Sequence, residues 1–373
     1  NFNIDLNPQT SKIVEIPIRN FLKEINQENN DFHLNVYGYL RNGKNLIPSG
    51  HMIFKEQMEI KESISSYSLS NSNKMLKVES SDNLLKVYND DINVVFDNSN
   101  GDLISYVVND KEFIDKAPHL NFWRAPIDND YGNNLPLRSK EWKIASNKRV
   151  LSNIDHELLD KNIKVTVNYS LANLKSYYTT IFLINPEGEL RISNDFNYKG
   201  NLKDAEMPRF GMNFQIPKSY NNISWYGRGP HENYVDRMDS AFMGVYSSSV
   251  SDLGFDYSRP QENGYRTQTK WLELIDDSGN GFKIFGDPYI SFSAHYNTIE
   301  DFDDGVRDKK PGEMGSARKR MIKKQRKPID IPKRNFISLN IDLKQMGVGG
   351  DNSWGARPLL KYIFPPGNYK YSF

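Results

Sequence analysis

Chemistry-bearing side chains gather in two stretches of this sequence. The first, Asn121-Phe-Trp-Arg-Ala-Pro-Ile-Asp-Asn-Asp-Tyr-Gly132, sets Arg124, Asp128, Asn129 and Asp130 around a proline. The second, Trp225-Tyr-Gly-Arg-Gly-Pro-His-Glu-Asn-Tyr-Val-Asp-Arg237, packs Arg228, His231, Glu232, Asp236 and Arg237 into a Gly-Pro turn. Carboxylates beside arginines can serve either of two ends. They can line an active-site wall as acid or base. They can also form a buried ion-pair and hydrogen-bond network that fixes a long loop. The structural end is favoured here. A His acid and a Glu base must face one cleft, whereas His231 and Glu232 are neighbours and would point to opposite faces of a strand.

Other chemistries find little support. The histidines are His33, His51, His119, His156, His231 and His295, and none has H-x-H or H-E-x-x-H spacing, which argues against a zinc site. The chain has no cysteine, which removes disulfides and thiol catalysis. It has no G-x-S-x-G elbow, P-loop or G-x-G-x-x-G turn.

A third stretch, Lys344-Gln-Met-Gly-Val-Gly-Gly-Asp351-Asn352-Ser353-Trp354-Gly355, follows a period-2 strand pattern and is not itself strand-like. Its glycines allow tight turns and close backbone approach. Asp351, Asn352 and Ser353 favour side-chain-to-backbone turns. Trp354 sits at the end of this polar loop. It either presents a flat aromatic face to a sugar ring or another domain, or folds back as a lid on its own sandwich.

The elements that must position these residues read as strands. Phe32–Leu40 alternates, Arg41-Asn-Gly-Lys44 carries a hairpin signal, and 50–60 reads as one more strand. Ile4, Leu6, Ile13, Val14, Ile16 and Ile18 read as short strands. Residues 1–61 are therefore expected to form part of an immunoglobulin-like β-sandwich. The Ser/Asn-rich 62–74 reads as a linker. From 75 to 373 more than a dozen strand patterns follow, including 84–88, 92–96, 163–169, 178–184, 190–196, 210–216 and 336–343. The segments 359–364 and 369–373 are expected to pair across Pro365-Pro-Gly-Asn368. Helical periodicity is confined to 297–304. The fold class is mainly β: a large antiparallel supersandwich preceded by the partial sandwich.

Composition narrows the partners. A chain of 373 residues suggests about two domains. Net charge is +1, so no global field attracts nucleic acid or membrane. No apolar run is long enough to span a bilayer. The segment 307–334 is strongly basic but carries no interleaved aromatic. It reads as a solvated loop or insertion, not as a nucleic-acid patch.

At these motifs the sequence resembles the C-terminal part of the large β-galactosidases of glycoside hydrolase family 2. The matching pieces are Phe122–Gly132, Trp225–Arg237, Pro260-Gln-Glu-Asn-Gly-Tyr-Arg266 and Met346–Trp354. In that family a sugar-binding-like jelly roll, an immunoglobulin-like domain, a (β/α)8 barrel, a second immunoglobulin-like domain and a galactose mutarotase-like supersandwich follow in order. The resemblance makes this chain the back of the fourth domain plus the fifth. It implies that the two catalytic carboxylates, about 5 Å apart in a retaining enzyme, belong to the barrel. The family's acid/base glutamate follows an asparagine, and no Asn-Glu dipeptide occurs here. The magnesium and sodium implied for the full-length enzyme belong mainly to the barrel too, so no cofactor is expected in this chain. Trp354 carries over as the residue that stacks on the sugar in the +1 position. Asp130, Gly132, Asp351 and Asn352 are expected near the same mouth. The implied partners are a β-galactoside, the barrel and, in some assemblies, further copies of the same chain. The compartment stays open between periplasm and cytoplasm. A free-standing carbohydrate-binding module, with Trp354, Trp225 and nearby Tyr as its platform, is the alternative. It predicts sugar binding by the isolated chain. An aldose-epimerase-like enzyme on the same sandwich is a third, weaker reading.

Overall fold

The computed structural model describes residues 2–18, 22–23, 30–63, 67–201, 205–307 and 322–373. The chain forms two compact units, Asn1–Ser65 and Ser66–Phe373. The first contains β1 (Phe32–Tyr39) and β2 (Met52–Lys61), paired antiparallel. Their connection is longer than the Asn-Gly signal suggests. Leu40 and His51 close it with a 2.8 Å backbone bond, and Gly50 takes the left-handed conformation at φ +81°. The expected strands between Ile4 and Ile18 do not form. Those residues lie in irregular backbone without ladder partners, exposed except for the half-buried Ile18. A short apolar run becomes a strand only when another strand supplies its hydrogen bonds.

The second unit is built almost wholly from antiparallel strands. Five of them, β3 (Lys77–Ser80), β4 (Leu84–Tyr88), β5 (Ile92–Asp97), β6 (Asp102–Val108) and β7 (Lys111–Glu112), make a meander. A twelve-stranded sheet follows. It comprises β8 (Lys116–Asn121), β9 (Val150–Leu159), β10 (Asn162–Leu171), β11 (Ser176–Ile184), β12 (Leu190–Asn197) and β13 (Arg209–Pro217). It continues with β14 (Asn222–Gly229), β15 (Phe242–Ser249), β16 (Arg266–Ile275), β17 (Gly281–His295), β18 (Phe336–Gln345) and β19 (Tyr369–Ser372).

Alternation drives this assembly. On β10, Ile163, Val165, Val167 and Tyr169 are buried while their neighbours are not. Such a face must meet another apolar face. Phe182 of β11 meets Phe96 of the meander edge-on at 5.0 Å. On the far half of the large sheet, Phe210 of β13 packs against Phe196 of β12 at 5.8 Å and Tyr371 of β19 at 5.4 Å. The hydroxyl of Tyr371 donates to the Ile341 carbonyl of β18 at 2.9 Å. The large sheet thus curls so that its halves share one core, a β-sandwich arrangement.

Two further expectations are corrected. Residues 359–364 do not pair with the C-terminal strand. Leu360–Tyr362 forms a 3-10 turn, and β19 pairs with β12 instead. Helix is also commoner near the first polar motif than its periodicity suggests: Asp128–Gly132, Leu135–Arg138 and Lys140–Asn147 are helical. These helices run from one to about two turns, too short to display a 3.6-residue repeat. The helix at Ile299–Phe302 is likewise one turn, capped by Thr298. Residues 67–74 of the Ser/Asn-rich stretch lie on the large unit. The Tyr67 ring stacks on Phe285 at 4.2 Å, and Lys74 pairs with Glu187 at 2.9 Å.

Candidate functional site

The glycine loop leaves β18 at Gln345 and runs beside the helix Asp128–Gly132. Its backbone is held from three directions. The Asp236 carboxylate accepts from Val348 N at 3.1 Å and Gly349 N at 2.7 Å. Asn129 donates to the Asn352 carbonyl at 2.8 Å and accepts from Gly355 N at 3.1 Å. Asn352 bonds the Trp354 N–H through its own side chain at 2.9 Å, the local turn expected of an asparagine here. Gly355 has φ +112°, and a Cβ on Gly132 would sit 2.6 Å from the Gly355 Cα. Both positions therefore require glycine, because two backbones meet there.

Beneath the loop is a buried cation. Arg124 is 0% exposed. It pairs with Asp130 at 3.1 Å and donates to the carbonyls of Met346 at 2.8 Å and Gly347 at 3.1 Å. Asp130 also accepts from Ile127 N at 3.1 Å, opening the short helix. Burial pushes the Asp130 carboxyl up from its ordinary value, and Arg124 opposes the shift. Nearby, Glu206 takes Arg138 at 2.9 Å and Arg357 at 3.2 Å. Burial would raise Glu206, but its arginine partners hold it below the ordinary carboxylate value.

The result of this bracing is an exposed indole. Trp354 is 87% exposed. Trp123, Trp142 and Trp225 are buried and Trp271 is half-buried. The polar loop's backbone bonds are made by its neighbours, so the indole is not needed as a lid. Asp351 and Asn352 are exposed on the same loop, and Gly132 meets it through its backbone. Asp130 is buried with both oxygens bonded. Trp225, a member of the alternative sugar platform, lies in the core under Phe292 and Tyr246. His231 and Glu232 go separate ways: His231 faces Ser240, while Glu232 takes Gly264 N at 2.7 Å.

Residues 88–373 match the sequence pattern described as β-galactosidase small chain. The chain belongs to this family. Among its relatives, the β-galactosidase of Priestia megaterium is 29% identical over 343 residues, covering 91% of this chain and 31% of the relative. That of Halalkalibacterium halodurans is 30% identical over 296 residues, covering 77% and 27%. That of Clostridium acetobutylicum is 31% identical over 250 residues, covering 66% and 27%. The chain spans between about a quarter and a third of the length of these curated relatives.

In this small chain Glu262, from the piece Pro260–Arg266, joins a buried polar cluster. Arg209 of β13 lies between Glu262, at 2.9 Å, and Asp342 of β18, at 3.1 Å. Burial pushes Asp342 up to about 7, with Arg209 opposing and Glu262 adding to the rise. Sequence reading passed over Arg209 and Asp342 because each stands alone in a strand pattern. Glu262 and Tyr234 lie inside the motifs Pro260–Arg266 and Trp225–Arg237, which are the available signal. Two arginines in the described part of the basic segment are paired too: Arg326 meets Asp304 at 2.8 Å and Arg334 meets Asp301 at 2.6 Å. Residues 308–321 of that segment lie outside the described residues. Among the described residues, no group of three or more His, Asp or Glu could hold a metal ion, and no helix is long and apolar enough to cross a membrane.

Proposed function

We propose that this chain is the C-terminal, non-catalytic part of a retaining family 2 β-galactosidase, whose complete form hydrolyses terminal β-D-galactosides. In this reading the large unit is the mutarotase-like sandwich, and Trp354 completes the active-site mouth by stacking on the +1 sugar. Asn352, Asp351 and Gly132 shape the loop around it. The catalytic carboxylates, and the magnesium and sodium of the complete enzyme, belong to the (β/α)8 barrel. The observation that carries this reading is the exposed Trp354 on a loop braced from three sides. A sugar's C–H face desolvates on an indole while its hydroxyls stay wet. An indole already held outward loses little conformational entropy on binding.

The first test is an assay of the isolated chain on a chromogenic β-galactoside. No turnover is expected. Turnover that survives repurification and is lost on mutating a Glu of this chain would overturn the reading. In the complete enzyme, Trp354→Ala is expected to weaken acceptor-sugar binding by about 5- to 30-fold, the value of one aromatic contact of roughly 1 to 2 kcal/mol. An unchanged acceptor affinity would remove Trp354 from the site. The coding sequence upstream of this chain is expected to encode the barrel.

A further inference from the structure

The turn that carries Trp354 is closed by a side chain from another loop. Asn129 spans it: Nδ2 donates to the Asn352 carbonyl at 2.8 Å, and Oδ1 accepts from Gly355 N at 3.1 Å. These two partners lie on either side of Ser353 and Trp354 in the chain. A primary amide carries donor and acceptor on one planar group, so a single side chain can close a turn at both ends. The amide also fills a gap that glycine leaves, because a Cβ on Gly350 would sit 2.9 Å from Asn129 Nδ2. Asp236 holds the loop at Val348 and Gly349, upstream of the indole. Asn129 holds the end on which the indole stands.

The clamp has a firm base. Asn129 belongs to the short helix Asp128–Gly132. Its two acidic neighbours are tied down: Asp128 by Arg259 at 3.0 Å, and the buried Asp130 by Arg124 at 3.1 Å. Tyr131 is buried, with the Arg259 guanidinium 4.4 Å from its ring centre. The loop itself has no such base. From Gly349 to Gly355 its residues are small or polar apart from Trp354, and that indole is 87% in solvent. Such a run depends on hydrogen bonds for its order, because little apolar burial offsets the entropy of fixing it.

We infer that Asn129 is a positioning residue for the +1 sugar: its amide fixes the backbone from which the Trp354 indole is presented, and it acts on the sugar only through Trp354. The inference rests on the proposed stacking role of Trp354. An aromatic platform ordered in advance binds more tightly than one that the ligand must order. Without the clamp the indole is still present but unfixed, so losing Asn129 weakens acceptor binding by less than losing the indole does.

The test compares Asn129→Leu, Trp354→Ala and the double variant in the complete enzyme. A retaining enzyme forms a covalent glycosyl intermediate, and an added sugar competes with water for it. The D-glucose concentration that half-saturates this transfer therefore reads +1 binding. Asn129→Leu should raise it about 3- to 10-fold, the effect of having to order one loop side chain on binding. Trp354→Ala should raise it about 5- to 30-fold. The double variant should match Trp354→Ala within about 2-fold, because independent effects would multiply and these share one route. A double variant worse by the full Asn129→Leu factor overturns the inference. So does an unchanged value in Asn129→Leu beside a raised one in Trp354→Ala, and the Trp354 reading then stands. An unchanged value in Trp354→Ala overturns that reading and the inference with it. Fluorine NMR of the 373-residue chain carrying 5-fluorotryptophan reads the clamp apart from any sugar. Asn129→Leu should shift and sharpen the Trp354 resonance and leave those of Trp123, Trp142, Trp225 and Trp271 in place. An unmoved Trp354 resonance overturns the inference. If Asn129→Leu fails to fold, Asn129→Asp takes its place in both experiments with the same outcomes, since it keeps the acceptor for Gly355 N and loses the donor to the Asn352 carbonyl.

Discussion

The loop 121–132 and the loop 346–355 touch each other and follow opposite rules. The first buries an arginine completely; the second holds a tryptophan 87% in solvent. Hydropathy alone assigns both wrongly. Arg124 is buried because its donors reach Asp130 and the Met346 and Gly347 carbonyls, so little of its hydrogen-bonding capacity is wasted. Trp354 is exposed because the carboxylate of Asp236 and the amide of Asn129 fasten its loop without it. Burial at this site follows from where backbone and charged groups find partners. The apolar surface of one indole is the smaller consideration.

The largest test of this contrast is Arg124→Ala. It strands the buried Asp130 carboxylate and two carbonyls, so a loss of about 3 to 5 kcal/mol is expected in denaturant unfolding. A loss below about 1 kcal/mol would show that the pair is dispensable. Asp236→Ala removes the acceptor of two loop amides, one of them at 2.7 Å. The expected cost is about 1.5 to 3 kcal/mol. Faster amide exchange should appear at Val348 and Gly349, and unchanged exchange there would mean that the loop is braced from elsewhere.

A smaller, pH-dependent effect sharpens the rule on β8, the strand that leads into the first loop. Burial, with Arg149 and Lys116 nearby, lowers His119 from its ordinary value of 6.5 to about 4. The unfolded chain therefore binds this proton more readily than the folded one. The neutral form's advantage is complete above pH 6.5 and is lost as pH falls toward 4. His119→Gln lacks this liability, so it should gain stability relative to wild type between pH 7 and pH 5. Parallel unfolding curves at the two pH values would refute the assignment.

The smallest expected change is in Trp354→Ala. An exposed indole contributes within about 0.5 kcal/mol to stability. A loss of several kcal/mol in thermal unfolding would make Trp354 a structural residue and erase the contrast with Arg124.

Most strands of the large unit were legible in the sequence, because a half-buried antiparallel strand writes its pleat as period-2 alternation. β10 and β11 are plain examples. The short helices between Asp128 and Asn147 were not legible, since four to eight residues hold at most two turns of helical period. The first unit shows the limit from the other side. β1 alternates as well as β10 does, yet no described residue before 64 is buried. Alternation states which face wants a partner and is silent on whether one is present.

The candidate site divides along the same line. The residue types settled the loop by themselves: glycines that permit backbones to meet at Gly132 and Gly355, and an Asp-Asn-Ser run that turns on its own side chains. Local conformational preference is a property of neighbouring residues, so it can be read in order along the chain. Which side chains stand under and beside that loop is another matter. Asp236 lies more than a hundred positions from the amides it accepts, and Arg209, Glu262 and Asp342 come from three separate segments. Hydrogen bonds and ion pairs act over about 3 Å of space, whatever the distance along the chain. Only the curled sheet, by bringing those segments together, decided that Arg124 is inside and that Trp354 is outside.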